Sequence, residues 1–273
     1  MSRDVLLTGA TGFVGRQILR TLLEQDIRVR VVVRDATRLS AGATPERIIT
    51  TPDLFAESDD WWAESCAGID TVIHSAWYAE PGQYLRSPLN MSCLRGSLAL
   101  ATGATRAGVR RFVGVGTCAE YDTSAGDLSI DTPLLPQSPY AAAKAATYYG
   151  LAHWLPSQKV QLAWCRLFYL YGEGEDERRL VAHIRSRLAA GEVAELTSGT
   201  QVRDFLDVRD AGRMIAEVAL GTVTGPVNIC SGEPTTVRAL AERIADEYGR
   251  RDLLKFGVRP DNLFDPPRVV GIP

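Results

Sequence analysis

Three side chains in this sequence have the types and spacing needed to move a proton to or from an oxygen atom. Ser138-Pro139-Tyr140-Ala141-Ala142-Ala143-Lys144 reads as a helix start, with proline in the first turn and alanines sustaining it. Tyr140 and Lys144 stand four apart, so both project from one helical face. A free tyrosine titrates near pH ~10, and an ammonium beside it favours the phenolate, lowering the pKa toward the working range. Thr117 follows the run Arg111-Phe112-Val113-Gly114-Val115-Gly116, expected as a strand, and its hydroxyl would bond the same substrate oxygen.

The element expected to bring these groups a redox partner lies near the N-terminus. Thr8-Gly9-Ala10-Thr11-Gly12-Phe13-Val14-Gly15 follows the apolar run Val5-Leu6-Leu7 and leads into Ile18, Leu19, Leu22 and Leu23 on one helical face. It reads as strand, tight turn, helix. The three glycines remove Cβ atoms where a first βα turn bends, lets its backbone approach a pyrophosphate, and packs helix on strand. Backbone N–H groups of Gly9, Thr11, Gly12, Phe13, Val14 and Gly15 then surround the phosphates.

Further elements alternate. Arg28–Val33 is the second strand, Ile48-Ile49 a short third, and Thr71 to Ala76 a fourth ending in small residues, Ser75 and Ala76, that suit a cofactor lying across the sheet edge. Helices are expected around Trp61-Trp62 and from about Asn90 to Ala107, then a sixth strand at Leu162–Phe168, a strand at Val227–Cys230 and a helix from Thr236 to Tyr248. The pattern predicts an α/β fold with a Rossmann-type doubly wound parallel sheet. Residues 1–165 form the dinucleotide-binding core; residues 166–273 are a mixed region in which a smaller substrate-binding lobe interweaves with the last core strands. After the second strand, Arg34 stands where an arginine accommodates a 2′-phosphate, and Asp35 comes one residue late for holding ribose hydroxyls. NADP is therefore expected in preference to NAD.

Composition narrows the setting. A formal net charge of −3 over 273 residues gives no general field for nucleic acid or an anionic membrane, so an anionic ligand needs local arginines. The five cysteines are scattered in apolar surroundings, as in a reducing cytoplasmic setting. The three histidines have no metal-site spacing, so no metal is expected, and no apolar run reaches membrane-spanning length.

TGATGFVG, the strand end Gly116-Thr117-Cys118-Ala119-Glu120-Tyr121, SPYAAAK and Arg203-Asp204-Phe205-Leu206-Asp207-Val208 together resemble the extended short-chain dehydrogenase/reductase family, in its sugar-nucleotide-modifying branch. The likeness runs from Val5 to about Pro267. It implies that Thr117, Tyr140 and Lys144 are catalytic, that Asp53 and Leu54 lie beside the adenine, and that Ser75-Ala76-Trp77 and Leu167 line the cofactor. Trp77 stands where the family has a small residue, so its indole would reach the substrate side. Arg203 and Arg259 match diphosphate-binding arginines, Tyr169 replaces an asparagine that often contacts the diphosphate, and Cys118 belongs to the same pocket.

Dehydratases of the family carry Asp and Glu where this chain has Cys118 and Ala119, so elimination is not expected. The bifunctional epimerases place a cysteine one residue later than Cys118. The resemblance therefore implies NADPH-dependent reduction of a keto group, at C4, on a nucleoside-diphosphate 6-deoxyhexose. The alternative is a 4-epimerase with bound NAD, and a remoter one is a non-catalytic dinucleotide-binding sensor. A homodimer is expected, and relatives continue past Pro273 into a final helix.

Overall fold

The computed structural model describes residues 4–262 and 265–273. Its centre is a run of short apolar strands, β1 (Asp4–Thr8), β2 (Arg28–Val33), β3 (Arg47–Thr50), β4 (Thr71–His74) and β5 (Arg111–Thr117), followed by the two-residue β6 (Asp127–Leu128), β7 (Gln161–Leu167), β8 (Tyr169–Tyr171), β9 (Ala194–Glu195), β10 (Val202–Asp207) and β11 (Gly225–Ile229). Short strands β12 (Pro234–Thr236), β13 (Leu254–Lys255) and β14 (Arg268–Gly271) complete the set. Helices α1 (Gly15–Glu24), α2 (Asp59–Ser65), α3 (Leu89–Arg106), α4 (Pro139–Ser157), α5 (Leu180–Ala189), α6 (Val208–Leu220) and α7 (Val237–Tyr248) are interspersed.

Seven strands form one parallel sheet in the order β11-β7-β5-β4-β1-β2-β3. Val5, Leu6 and Leu7 are fully buried, as a parallel strand covered by helices on both faces requires. One face packs Val5, Leu7 and Val31 against Ile18, Leu19 and Leu22 of α1 and Ile215 of α6; the other packs Leu6, Val72 and Phe112 against Trp62 of α2, Leu100 of α3 and Leu151 of α4. Chain order reverses between β1 and β4, so a crevice opens beyond their carboxyl ends. Thr8 pairs with His74 there, and Thr117 with Leu167 on the neighbouring pair.

A second sheet, β12-β10-β14-β6 with β8 beside β10, and an apolar cluster of α5 with α7 around Ile184, Leu196, Leu240 and Ile244 make the smaller lobe. The second sheet draws on both sides of residue 165. β6, at residues 127–128, pairs with β14 and so belongs with this second sheet. β14 itself lies beyond the elements expected from the sequence. Two other boundaries moved: the fourth strand ends at His74, leaving Ser75 and Ala76 in the following segment, and the sixth ends at Leu167.

Candidate active site

At the end of β1 the chain turns through Gly9 at φ +79, a left-handed conformation that a side chain would strain, and a Cβ there would lie 2.7 Å from the Ala76 nitrogen. A Cβ on Gly15 would lie 2.0 Å from the Gly9 carbonyl oxygen, so this glycine lets α1 pack onto the turn. Gly12 is exposed on the outer rim, its N–H donating to the Gly9 carbonyl at 2.9 Å. Val14, the N-cap residue of α1, supplies no side-chain cap, and the first turn holds no acidic residue. Thr11 and Phe13 complete the rim, half-buried, with the Arg179 guanidinium 5.8 Å from the Phe13 ring. An uncapped helix start beside an open glycine turn fits a dinucleotide pyrophosphate.

Arg34 is exposed just past β2, and Arg38 is exposed in the following helical turn. Asp35 is committed elsewhere: its carboxylate caps that turn, accepting from the Thr37 N–H at 2.9 Å and the Thr37 hydroxyl at 2.6 Å, which holds it below the usual carboxylate range. Asp53 is also exposed, turned to the Phe55 N–H at 2.9 Å, while Leu54 is buried.

The three proton-transfer candidates converge at the ends of β5 and α4. Ser138 caps α4, its hydroxyl accepting from the Ala141 N–H at 3.2 Å, and Tyr140 sits in that first turn. Thr117 ends β5. Its hydroxyl oxygen accepts from the Ala119 N–H at 3.3 Å, and the hydroxyl also pairs with the Tyr140 phenol. Lys144 is 3% exposed, donates to the Val115 carbonyl at 2.6 Å, and lies 3.9 Å from the Trp77 ring centroid. Burial brings its ammonium down to about 8, with the nearby Glu120 carboxylate opposing. The Tyr140 phenol differs from expectation. Burial first, and then Tyr84 and Glu120, push it above its ordinary value, against the hydrogen bond from Thr117. It is held protonated.

Two buried networks hold these elements. The Ala76 N–H donates to the Thr8 hydroxyl oxygen, 3.3 Å away; that oxygen lies 2.8 Å from His74 Nδ1, and His74 Nε2 lies 2.8 Å from the Ser97 hydroxyl, which donates to the Cys93 carbonyl at 2.7 Å. One assignment satisfies the chain throughout, with Thr8 donating to Nδ1 and Nε2–H donating to Ser97. His74 is accordingly neutral, lowered to about 3 by burial and then by Lys144. In the second network the fully buried Glu120 accepts from the Thr117 N–H at 2.8 Å, from the Trp164 indole, and from Arg166 Nε at 2.8 Å. Arg166 lies between the Tyr121 and Tyr148 rings, 4.6 Å from each. Glu120 was visible only as a letter within the strand-end motif; its role depends on Arg166 arriving from β7.

Toward the second lobe, Arg203 is buried, not a surface group: Nη1 donates to the Val202 carbonyl at 2.8 Å, and Nη2 lies 2.7 Å from Asp265 without an aligned hydrogen bond. Its guanidinium stands 5.2 Å from the Tyr169 ring. Arg259 is exposed, with its charge felt by His183 of α5. Cys118 is buried and its thiol is pushed up to about 12, first by burial and then by Glu120. Two residues that sequence reasoning missed lie against Tyr140: Tyr84, ring on ring at 4.8 Å, and, through Trp77, Asn90. Neither sits in a motif, and no periodicity marks them.

The model of the NAD dependent epimerase/dehydratase family matches residues 5–230. A dTDP-6-deoxy-L-talose 4-dehydrogenase (NAD(+)) of Aggregatibacter actinomycetemcomitans is 26% identical over 279 residues, covering 98% of this chain and 99% of its own. A dTDP-glucose 4,6-dehydratase of Streptomyces griseus is 30% identical over 262 residues, covering 91% and 80%. Among solved structures, a dTDP-glucose 4,6-dehydratase of Streptomyces venezuelae with NAD bound superposes with a TM-score of 0.84 at 24% identity, over 98% of this chain and 88% of that one, a likeness of fold.

Proposed function

The chain belongs to the NAD dependent epimerase/dehydratase family and is an NAD(P)-dependent oxidoreductase of sugar nucleotides, and from that premise we propose that it reduces the C4 keto group of a dTDP-linked 6-deoxyhexose, with NADPH preferred as reductant. One observation carries the reading: Thr117, Tyr140 and Lys144 converge at the strand end, while the next two positions hold a buried thiol, Cys118, and Ala119 where an elimination would need an acid and a base. The likeness to a 4-dehydrogenase along the whole chain supports it.

The nicotinamide, when bound, supplies hydride to the ketone carbon. Negative charge then grows on the carbonyl oxygen. Thr117, whose hydroxyl pairs with the Tyr140 phenol, turns that O–H to the substrate oxygen and donates to it. Tyr140, held protonated by burial, delivers the proton, so the alcohol gains two hydrogens in all. Lys144 is the positive charge that answers the phenolate left behind. Arg203, with an unaligned buried Nη2, and Arg259 hold the diphosphate, so binding remote from the ketone orients it.

The deciding experiment incubates the protein with a dTDP-4-keto-6-deoxyhexose and follows NADPH absorbance with product analysis. Stoichiometric oxidation and a new 4-hydroxyl are expected. Interconversion of two epimers without net oxidation would replace this reading with a 4-epimerase. For the cofactor, Arg34→Ala should weaken NADP roughly ten- to a hundredfold, the loss of charge-assisted bonds, and leave NAD nearly unchanged; equal losses would reject the preference. A homodimer through α3 and α4 is proposed from the exposed Met91, Leu98 and Tyr149, apolar residues on one face of that helix pair.

A further inference from the structure

Asn90, in the first turn of α3, is wholly buried, and its amide is used at both ends. Its oxygen accepts from the Trp77 indole N–H at 2.8 Å; its nitrogen donates to the Tyr84 carbonyl at 2.6 Å and the Ser87 carbonyl at 2.9 Å. One side chain thus ties the segment after β4 to the helical turn Tyr84–Arg86, and both to α3. The two rings it holds flank Tyr140. Tyr84 meets it edge to face, with centroids 4.8 Å apart at 89°, and Trp77 meets it at 6.4 Å and 80°. Phe55 packs behind Trp77 at 6.4 Å. The charged groups nearest this box are engaged, Lys144 with the Val115 carbonyl and the indole face, Glu120 with Arg166, and Arg179, whose charge is felt by Tyr84, with Glu175.

We propose that Trp77 and Tyr84, fixed in register by Asn90, form an aromatic slot beside the Tyr140 phenol that takes the C6 methyl group of a deoxyhexose in preference to a hydroxymethyl group. This rests on the sugar-nucleotide reading above. The rings determine specificity, and Asn90 is a positioning residue acting through them. The chemistry is that of desolvation: against ring edges and faces a hydroxymethyl group gives up water that the rings replace poorly, whereas a methyl loses nothing. Discrimination of this kind is on the order of 10- to 100-fold.

Calorimetry in the presence of NADP tests it with dTDP-6-deoxyglucose, dTDP-glucose and dTDP alone. The wild type should bind the deoxy sugar about 10- to 100-fold more tightly than dTDP-glucose. Tyr84→Ala and Asn90→Ala should bring that ratio below about threefold while dTDP affinity stays unchanged, and Tyr84→Phe should keep it, since the ring and not its hydroxyl makes the wall. Unchanged dTDP binding is the sign that only the slot was altered. Equal affinities in the wild type, or a ratio surviving both alanine variants, would overturn the slot. Because binding is read and not turnover, the two proposals fail separately: the expected ratio with no ketone reduction rejects the reductase and keeps the slot, and reduction without any ratio does the reverse.

Discussion

At the scale of single residues, burial acts in opposite senses on the two groups proposed to serve the ketone oxygen. Burial raises the Tyr140 phenol and lowers the Lys144 ammonium, so at neutral pH both carry their protons. Tyr140→Phe should leave binding of both ligands nearly intact while kcat for ketone reduction falls roughly 10²- to 10⁴-fold, the range for a lost general acid; stopped-flow turnover with NADPH checks it. The pH profile follows from Lys144. Its charge is present below about 8 and lost above, so kcat/KM should fall as pH rises through that value with the slope of one proton, and Lys144→Arg should lose that limb. The sign for stability is the opposite. An unfolded lysine keeps its proton to pH ~10.4, so between the two values the unfolded chain binds more protons, and the contribution of this residue to stability rises with pH.

At the scale of elements, the glycines of the first turn are proposed to have different tasks, Gly12 toward the dinucleotide and Gly15 toward the fold. Gly12→Val places a branched side chain on the exposed rim, its Cβ 3.2 Å from the Gly9 carbonyl oxygen, and should abolish dinucleotide binding in calorimetry with a far smaller fall in melting temperature than at Gly15. Gly15→Val must drive apart Gly9 and α1, since even a Cβ would stand 2.0 Å from the Gly9 oxygen, and should lower the melting temperature sharply. Retained cofactor affinity in the Gly12 variant would move the phosphate site elsewhere. The turn, the parallel strands and the Tyr140–Lys144 helix were legible in sequence because each is local: apolar runs, glycine spacing, a Ser-Pro helix start. The second sheet was not. β6, β8, β12 and β14 have two to four residues each and no alternation long enough to read, and they exist as strands only because β10 and its neighbours are there to pair with. Asn90 reads as an ordinary helix residue for the same reason, its importance being set by Trp77 and Tyr84 arriving from another segment.

At the scale of the whole molecule, Asp204 of β10 joins the lobe to the core. It is fully buried and takes four hydrogen bonds, from the Ser231 N–H and hydroxyl, the Gly232 N–H and the Gly271 N–H. Asp204→Ala would strand those donors, and a loss of roughly 2–4 kcal/mol is expected, seen as a melting temperature lower by about 5–15 °C; a shift under a degree would mean that water or neighbours replace the carboxylate. The way β14 lies between β10 and β6 also orders events in time. The parallel strands from β1 to β7 leave the ribosome in sequence and can pair as they emerge, but β6, made early, has its sheet partner only when Val270 and Gly271 are synthesised. At roughly 5–20 residues per second that interval is on the order of ten seconds. Through that interval the β6 edge stands without the strand that will cover it.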